Sequence, residues 1–320
     1  MRPPLLPSEN KPQQSETVPD NESVWKRVLL NPYLAVSFAM FCWATTTILV
    51  RYLRDDAPPM GLSFWRLVCA FLILLPITYP KIRSQMGIIK EHWKTLALLS
   101  LLLWFGGNSL LFLSLQFTIA INAAVINSVE PIIIVFLAWL LFRDQFTGKQ
   151  AVGAVLSLGG VLVLIAAGSL ERLLALDFNL GDIIVFCAYI SWGLYAVLLR
   201  KLPRDLDPIV IVTMLLGFGI PMLFIPYLIE SAFFQATQFN ALTIGTIIYL
   251  GIFSGAISMV GWNHGIKTLG PIRAGQFLHL IPAFTVVLAI LLLGETLKGY
   301  HFAGIALIVI GIFLASHVKK

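Results

Sequence analysis

The chain has 320 residues, 58% hydrophobic and only 12% charged, with a mean hydropathy of +0.87 and a formal net charge of +6. That balance excludes an ordinary soluble domain. A nucleic-acid partner is excluded as well, because the basic residues are scattered through short loops instead of gathered on one face. In chain order, residues 1–28 are rich in Pro, Ser, Glu, Asn and Gln and lack an apolar core, so they read as a disordered cytoplasmic tail and not a cleaved signal. A bilayer core of about 30 Å asks for roughly 20 apolar residues per helix. Ten such stretches follow, centred near residues 42, 70, 105, 130, 158, 190, 218, 252, 283 and 309. Cys42, Cys69 and Cys187 all fall inside them, where a thiol behaves as a small hydrophobe, so neither a disulfide nor a metal cluster is expected.

Loop charge sets the orientation. With the N-terminus inside, the inner segments carry Lys26, Arg27, Lys81, Arg83, Lys90, Lys94, Arg143, Lys149, Arg200, Lys201, Arg204, Lys267, Arg273, Lys319 and Lys320. The outer ones carry only Arg51, Arg54, Arg172 and Lys298. Removing or adding one span would break this alternation, so the bias supports ten helices with both termini cytoplasmic.

The chain also repeats itself. A shift of 151 residues carries Ile121 onto Ile272, Ala123 onto Ala274, Pro131 onto Pro282, Asp144 onto Glu295, and Gly148, Gly153 and Gly160 onto Gly299, Gly304 and Gly311, without a gap. A shift of 149 carries Trp43, Arg51 and Leu53 onto Trp192, Arg200 and Leu202. Each half holds five spans, an odd number, so the second half enters the membrane in the opposite sense. Two inverted five-helix repeats can rock about a central site, the physical basis of alternating access. The expected fold is an all-α integral membrane protein with repeats over residues 29–168 and 180–317.

Trp43, the stretch "FWRLVCAFLIL" with Arg66 and Ala70, and the doubled Ala-to-Pro-to-acid-to-Gly pattern resemble the drug/metabolite transporter superfamily, specifically its EamA-type permeases. The resemblance implies a carrier of small organic metabolites, often an exporter of amino acids or related compounds, in the cell inner membrane, with a cavity between the halves. The family pattern has Glu at the end of the fourth span, where this chain has Asp144; the change bears on helix-end packing, and Glu295 fits.

Glu130 is the first candidate site residue. A central carboxylate costs about 2.5–3.5 kcal/mol to insert, against about 0.3–0.6 gained per Leu, Ile, Phe or Val, so the span absorbs it but turns it away from lipid. On a helix Ala123, Asn127, Glu130 and Ile134 fall near one stripe, with a local kink at Pro131. Pro131 frees the Asn127 carbonyl from its helical partner. Two readings stay open: Glu130 binds a cationic group of the substrate or a coupled proton, or it pairs with a buried Arg or Lys. Arg66, early in the second span, fits a structural or gating ion pair better than a ligand contact. Gln276 and His279 lie three apart on one face, and His279 is the second candidate proton site. Asn108, Asn122, Asn263 and His264 add polar groups, and Trp43, Thr46, Trp192 and Tyr195 add aromatic and hydroxyl surface at matched positions; together they would line a pocket. Pro131 and Pro282 belong to the framework. The paired glycines seven apart suit close helix packing, with a homodimer contact left open.

Phosphate-binding loops, zinc-protease and nucleophile-elbow motifs are missing from the sequence, and neither a cofactor nor a metal is expected. The expected partners are a small-molecule substrate, the lipid bilayer and a coupling proton or ion. The runner-up function is a nucleotide-sugar or phosphate-ester exchanger, which needs several buried cations. Of another class is a membrane scaffold or membrane-embedded enzyme without transport.

Overall fold

The computed structural model describes residues 31–52, 58–114, 117–118, 120–169, 171, 174, 179–293 and 296–316. The tail expected over residues 1–28 lies outside them, as does Glu295, the counterpart of Asp144. Helices are the only regular elements among the described residues. The first half runs through α1 (Pro32–Tyr52), α2 (Pro59–Ser84), α3 (Met86–Ser100), a π-helical stretch (Leu101–Ser109), α4 (Leu110–Ser114), α5 (Ala120–Asn127), α6 (Glu130–Phe142) and α7 (Gly148–Ile165). The second half has α8 (Leu180–Leu198), a 3₁₀ turn (Leu199–Lys201), α9 (Pro208–Phe233), α10 (Ala241–Tyr249), a second π-helical stretch (Leu250–Ile257) and α11 (Ser258–Leu269). It ends with α12 (Pro271–Gln276), a 3₁₀ turn (Phe277–His279), α13 (Leu280–Leu293) and α14 (Gly299–Ser316).

Local chemistry starts these helices where they start. Thr147 and Gln150 form a reciprocal capping box before α7, and Asn179 and Asp182 form another before α8. Asp207 accepts from the Ile209 N–H at 3.0 Å and Asn240 from the Thr243 N–H at 2.8 Å, capping α9 and α10. Proline at the first helical position opens α2, α9 and α12, where its missing N–H leaves no gap. Arg143, in a left-handed conformation at φ 57°, closes α6.

Among the described residues, eight helical stretches are long and apolar enough to cross a membrane: Pro59–Ser84, Asn122–Phe142, Gly148–Ile165, Leu180–Lys201, Pro208–Phe233, Ala241–Leu269, Pro271–Leu291 and Gly299–Ser316. Helix α1 and residues 86–114 are not among the eight. Leu72, Ile77, Val155, Ile225, Phe302 and Phe313 are each more than half exposed on the outside of the bundle. Water would penalise that surface, and lipid does not; the protein is a multi-pass membrane protein.

The duplication governs the packing. Helix α7 packs along its counterpart α14, and α2 along its counterpart α9. Helix α1 packs against α11 and α13, and its counterpart α8 packs against α4, the first π stretch and α6, the matching elements of the other half. The contact at α7 and α14 is backbone on backbone: a Cβ added to Gly160 would lie 2.6 Å from the Gly304 carbonyl oxygen, and one added to Gly153 would lie 2.5 Å from that of Gly311. The face considered for a dimer contact is therefore consumed within one chain.

In the fourth stretch the kink expected at Pro131 is a full break of the helix. Pro131 has no N–H to give the Asn127 carbonyl, and the chain turns at Ser128 and Val129 before resuming as α6. Ile132 N–H bonds to the Val129 carbonyl at 2.9 Å, three residues back, which frees the Ser128 carbonyl for another partner. In the second half the equivalent place is the 3₁₀ turn Phe277–His279.

Candidate functional site

Both π-helical stretches bring glycines to the interface between the halves, and π geometry within α-helices is frequent at functional sites. Gly107, in the first, lies directly against the Trp192 indole of α8, where any Cβ would overlap the ring. Trp192 belongs to an aromatic group built from three helices. Trp43 of α1 lies 5.9 Å from Trp192, nearly edge-on, and 5.7 Å from Trp262 of α11. Tyr195 lies 6.5 Å from Trp192 and donates its hydroxyl to Asn263 Oδ1 at 2.5 Å. Such tilted and edge-on contacts suit the ring quadrupoles.

Several polar atoms here lack partners. Trp192 Nε1, Trp262 Nε1 and Asn263 Nδ2 are buried N–H donors without an acceptor among the described residues. Gln276, wholly buried, leaves both amide atoms unpaired. Buried polar groups are nearly always hydrogen-bonded, so a cluster of exceptions calls for a guest or water. Trp262 has no aromatic counterpart in the first half: Leu113 and Leu111 stand at the matching positions, so the repeat gave no signal for it.

Arg66 of α2 is buried and donates from Nη2 to Asn108 Oδ1 at 2.5 Å. Asn108 in turn gives its Nδ2 to the Leu103 carbonyl at 2.8 Å. The guanidinium lies 5.9 Å from the centre of the Trp104 ring, whose own Nε1 is tied to the Leu215 carbonyl. No carboxylate is paired with Arg66 among the described residues.

Glu130 opens α6 as a buried carboxylate, without a hydrogen bond or ion pair to any described residue. Tyr189 on α8, also buried, lies within electrostatic reach of it. His279 occupies a different place: Nδ1 lies 2.7 Å from Ser157 Oγ on α7, and Nε2 lies 3.0 Å from the Ser128 carbonyl freed by the helix break. A carbonyl only accepts, so Nε2 carries a proton toward Ser128, and Nδ1 faces the Ser157 hydroxyl, which also lies 3.1 Å from the Ala154 carbonyl. His279→Ala leaves the Ser128 carbonyl unpaired, while Ser157 keeps the Ala154 carbonyl as its partner. An expected cost of about 1–3 kcal/mol follows, read as a lower midpoint of thermal denaturation in detergent. Asn127, Ser128, His279 and Pro282 line a cavity of about 260 Å3 between the two helix breaks and α7. The structure thus separates the candidates: Trp43, Trp192, Tyr195 and Asn263 converge, Arg66 joins Asn108, and Asn127 and His279 gather elsewhere. Ser157, Trp262 and Tyr189 were missed in the sequence.

Polar contacts also tie the helix ends together. Arg200 grips Asp144 with two hydrogen bonds of 3.0 and 2.5 Å, its guanidinium 4.3 Å over the Phe142 ring. Lys81 reaches Asp207 at 2.6 Å, and Lys267 Nζ donates to the carbonyls of Pro203, Arg204 and Leu206. At the opposite ends, Asp182 accepts from Thr118 at 2.5 Å and Asn122 at 3.0 Å, and Glu230 accepts from the N–H groups of Met60 and Gly61. Asp207 lies in the loop before α9. Burial alone would raise its pKa, but hydrogen bonds from Lys81 and the Ile209 N–H, with the charges of Lys81 and Lys267, hold it below the usual carboxylate range. Its stabilising contribution is therefore present above the unfolded value near 3.9 and lost as pH falls through the depressed folded value. Asp207→Asn should flatten the acid limb of a stability-against-pH curve and leave the limb above pH 7 parallel to that of the parent protein.

Comparison with known proteins places these features in context. The model of the EamA-like transporter family matches twice, over residues 30–166 and 179–317. The uncharacterized transporter YyaM of Bacillus subtilis is 28% identical over 295 residues, 91% of this chain and 95% of that protein. A probable amino-acid metabolite efflux pump of Salmonella typhimurium is 24% identical over 283 residues, 85% of this chain and 90% of that one. One solved crystal structure shares the fold with a TM-score of 0.73 at 17% identity, covering 89% of this chain and 96% of its own.

Proposed function

The chain belongs to the EamA-like transporter family, and from that premise we propose that it is a ten-span secondary transporter exporting amino acids or related metabolites by alternating access. Its two five-helix repeats lie inverted in the inner membrane, with both termini cytoplasmic. The observation that carries this reading is the set of buried, unpaired polar atoms where the halves meet: the Glu130 carboxylate, the Gln276 amide, the Asn263 Nδ2 and the indole N–H groups of Trp192 and Trp262. A scaffold gains nothing from leaving such groups unsatisfied, whereas a carrier needs them free to bind and release its cargo.

Contacts at the helix ends support the ten-span alternation. Asp144 with Arg200, and Lys81 and Lys267 with the loop before α9, fall on the side rich in Lys and Arg. Asp182 with Thr118, and Glu230 with Met60, fall on the other. The efflux pump among the relatives supports amino-acid metabolites and the outward direction. Glu130 receives the cationic group of the substrate or the coupled proton. The test is a flux screen in proteoliposomes with labelled amino acids, polyamines and sugar nucleotides. Flux confined to amino acids and their relatives is the expected result; flux confined to sugar nucleotides would overturn the substrate assignment.

A further inference from the structure

We propose that Arg66 and Asn108 form an anion subsite that receives the carboxylate of the transported metabolite. Resting on the transporter reading above, this gives the cargo a negative group at a named place. A buried guanidinium is costly unless a carboxylate or a full set of acceptors compensates it. Arg66 has neither among the described residues: Nη2 meets the neutral Asn108 oxygen, and Nε is enclosed and unpaired. No ion pair joins it to Glu130 or to any other described acid.

The surroundings hold the fork in place without satisfying it. Asn108 gives its amide N–H to the Leu103 carbonyl, which turns its oxygen toward Arg66. The Trp104 ring lies beside the guanidinium and is itself fixed by the Leu215 carbonyl. The residue before Asn108 is Gly107, on which Trp192 rests with its indole N–H unpaired. The guanidinium Nε and the Trp192 indole N–H, which rests on the residue before Asn108, are donors without acceptors. A planar carboxylate, with two oxygens and about four lone-pair sites, supplies the missing half. A substrate bearing only a cation would leave the Arg66 charge uncompensated.

The experiment uses the full chain in phosphatidylcholine nanodiscs, titrated at constant chloride with acetate and with its neutral isostere acetamide. Tryptophan emission and the thermal midpoint are read together. Acetate is expected to change the emission and raise the midpoint, and acetamide to do neither. Arg66→Gln should weaken the acetate response at least tenfold. Asn108→Asp carries the decision if Arg66→Gln does not fold: an internal carboxylate raises the midpoint without acetate and abolishes the acetate response. Equal responses to acetate and acetamide, or an Asn108→Asp protein that still responds to acetate, would overturn the subsite and leave Arg66 as a joint between α2 and the first π stretch. A parallel flux arm compares labelled phenylalanine with phenylalanine amide in proteoliposomes. Equal flux of both overturns the subsite and keeps the transporter reading. Loss of all flux with the acetate response intact overturns transport and keeps the subsite.

Discussion

Glu130→Gln is expected to lower transport efficiency by about two orders of magnitude while the protein inserts and folds at least as well as before. The first half of that expectation follows from losing a buried charge contact with the substrate, an effect of about 2–5 kcal/mol. The second follows from geometry: Glu130 has no hydrogen bond or ion pair to a described residue, so neutralising it strands no partner and removes a buried charge. Breaking a structural ion pair would instead cost about 3–5 kcal/mol of stability. Rate and thermal midpoint measured on one preparation therefore separate the two roles. A glutamine variant with a sharply lower midpoint would mark Glu130 as structural. Unchanged affinity and pH dependence of transport would remove it from the site altogether.

The second large effect is expected at Gly160→Leu. An added Cβ there meets the Gly304 carbonyl oxygen at 2.6 Å and the Ile308 N at 2.9 Å, backbone atoms that cannot swing aside. Helix α7 must then lift from α14, and the gap propagates to Gly153 and Gly311, where the clearance is 2.5 Å. Overpacking of this kind costs about 1–3 kcal/mol even where side chains can yield, so the folded, monodisperse fraction should collapse. Gly159→Leu provides the control, because a Cβ at Gly159 meets nothing within 4 Å. Size-exclusion profiles of the two variants should differ sharply; equal profiles would mean that α7 and α14 do not pack as described.

What the sequence disclosed depended on how local each cause was. Apolar runs and the matched Pro131 and Pro282, with the glycines of α7 and α14, carried the membrane helices and the duplication, because hydropathy and small-residue spacing are written along the chain. Trp43 and Trp192 emerged for the same reason. The break at Ser128 did not: a proline announces a kink, but whether the helix bends or stops depends on what accepts the freed carbonyl, and His279 lies 151 residues away. The i, i+3 face for Gln276 and His279 presumed α-helical turns; the chain adopts a 3₁₀ turn there, in which residues three apart still share a face. Arg66 carried no sign that its partner is an amide from the first π stretch, since pairings between helices leave no mark on either segment alone.

Trans-stimulated exchange tests the account most directly. Proteoliposomes loaded with the unlabelled amino acid that the flux screen identifies are diluted into its labelled form, and initial uptake is compared with that of unloaded vesicles. A carrier that alternates access around a site between its halves returns faster when loaded, so the internal amino acid should accelerate uptake, and Glu130→Gln should abolish the acceleration. Uptake no greater than in protein-free vesicles, or uptake indifferent to the internal load, would contradict it.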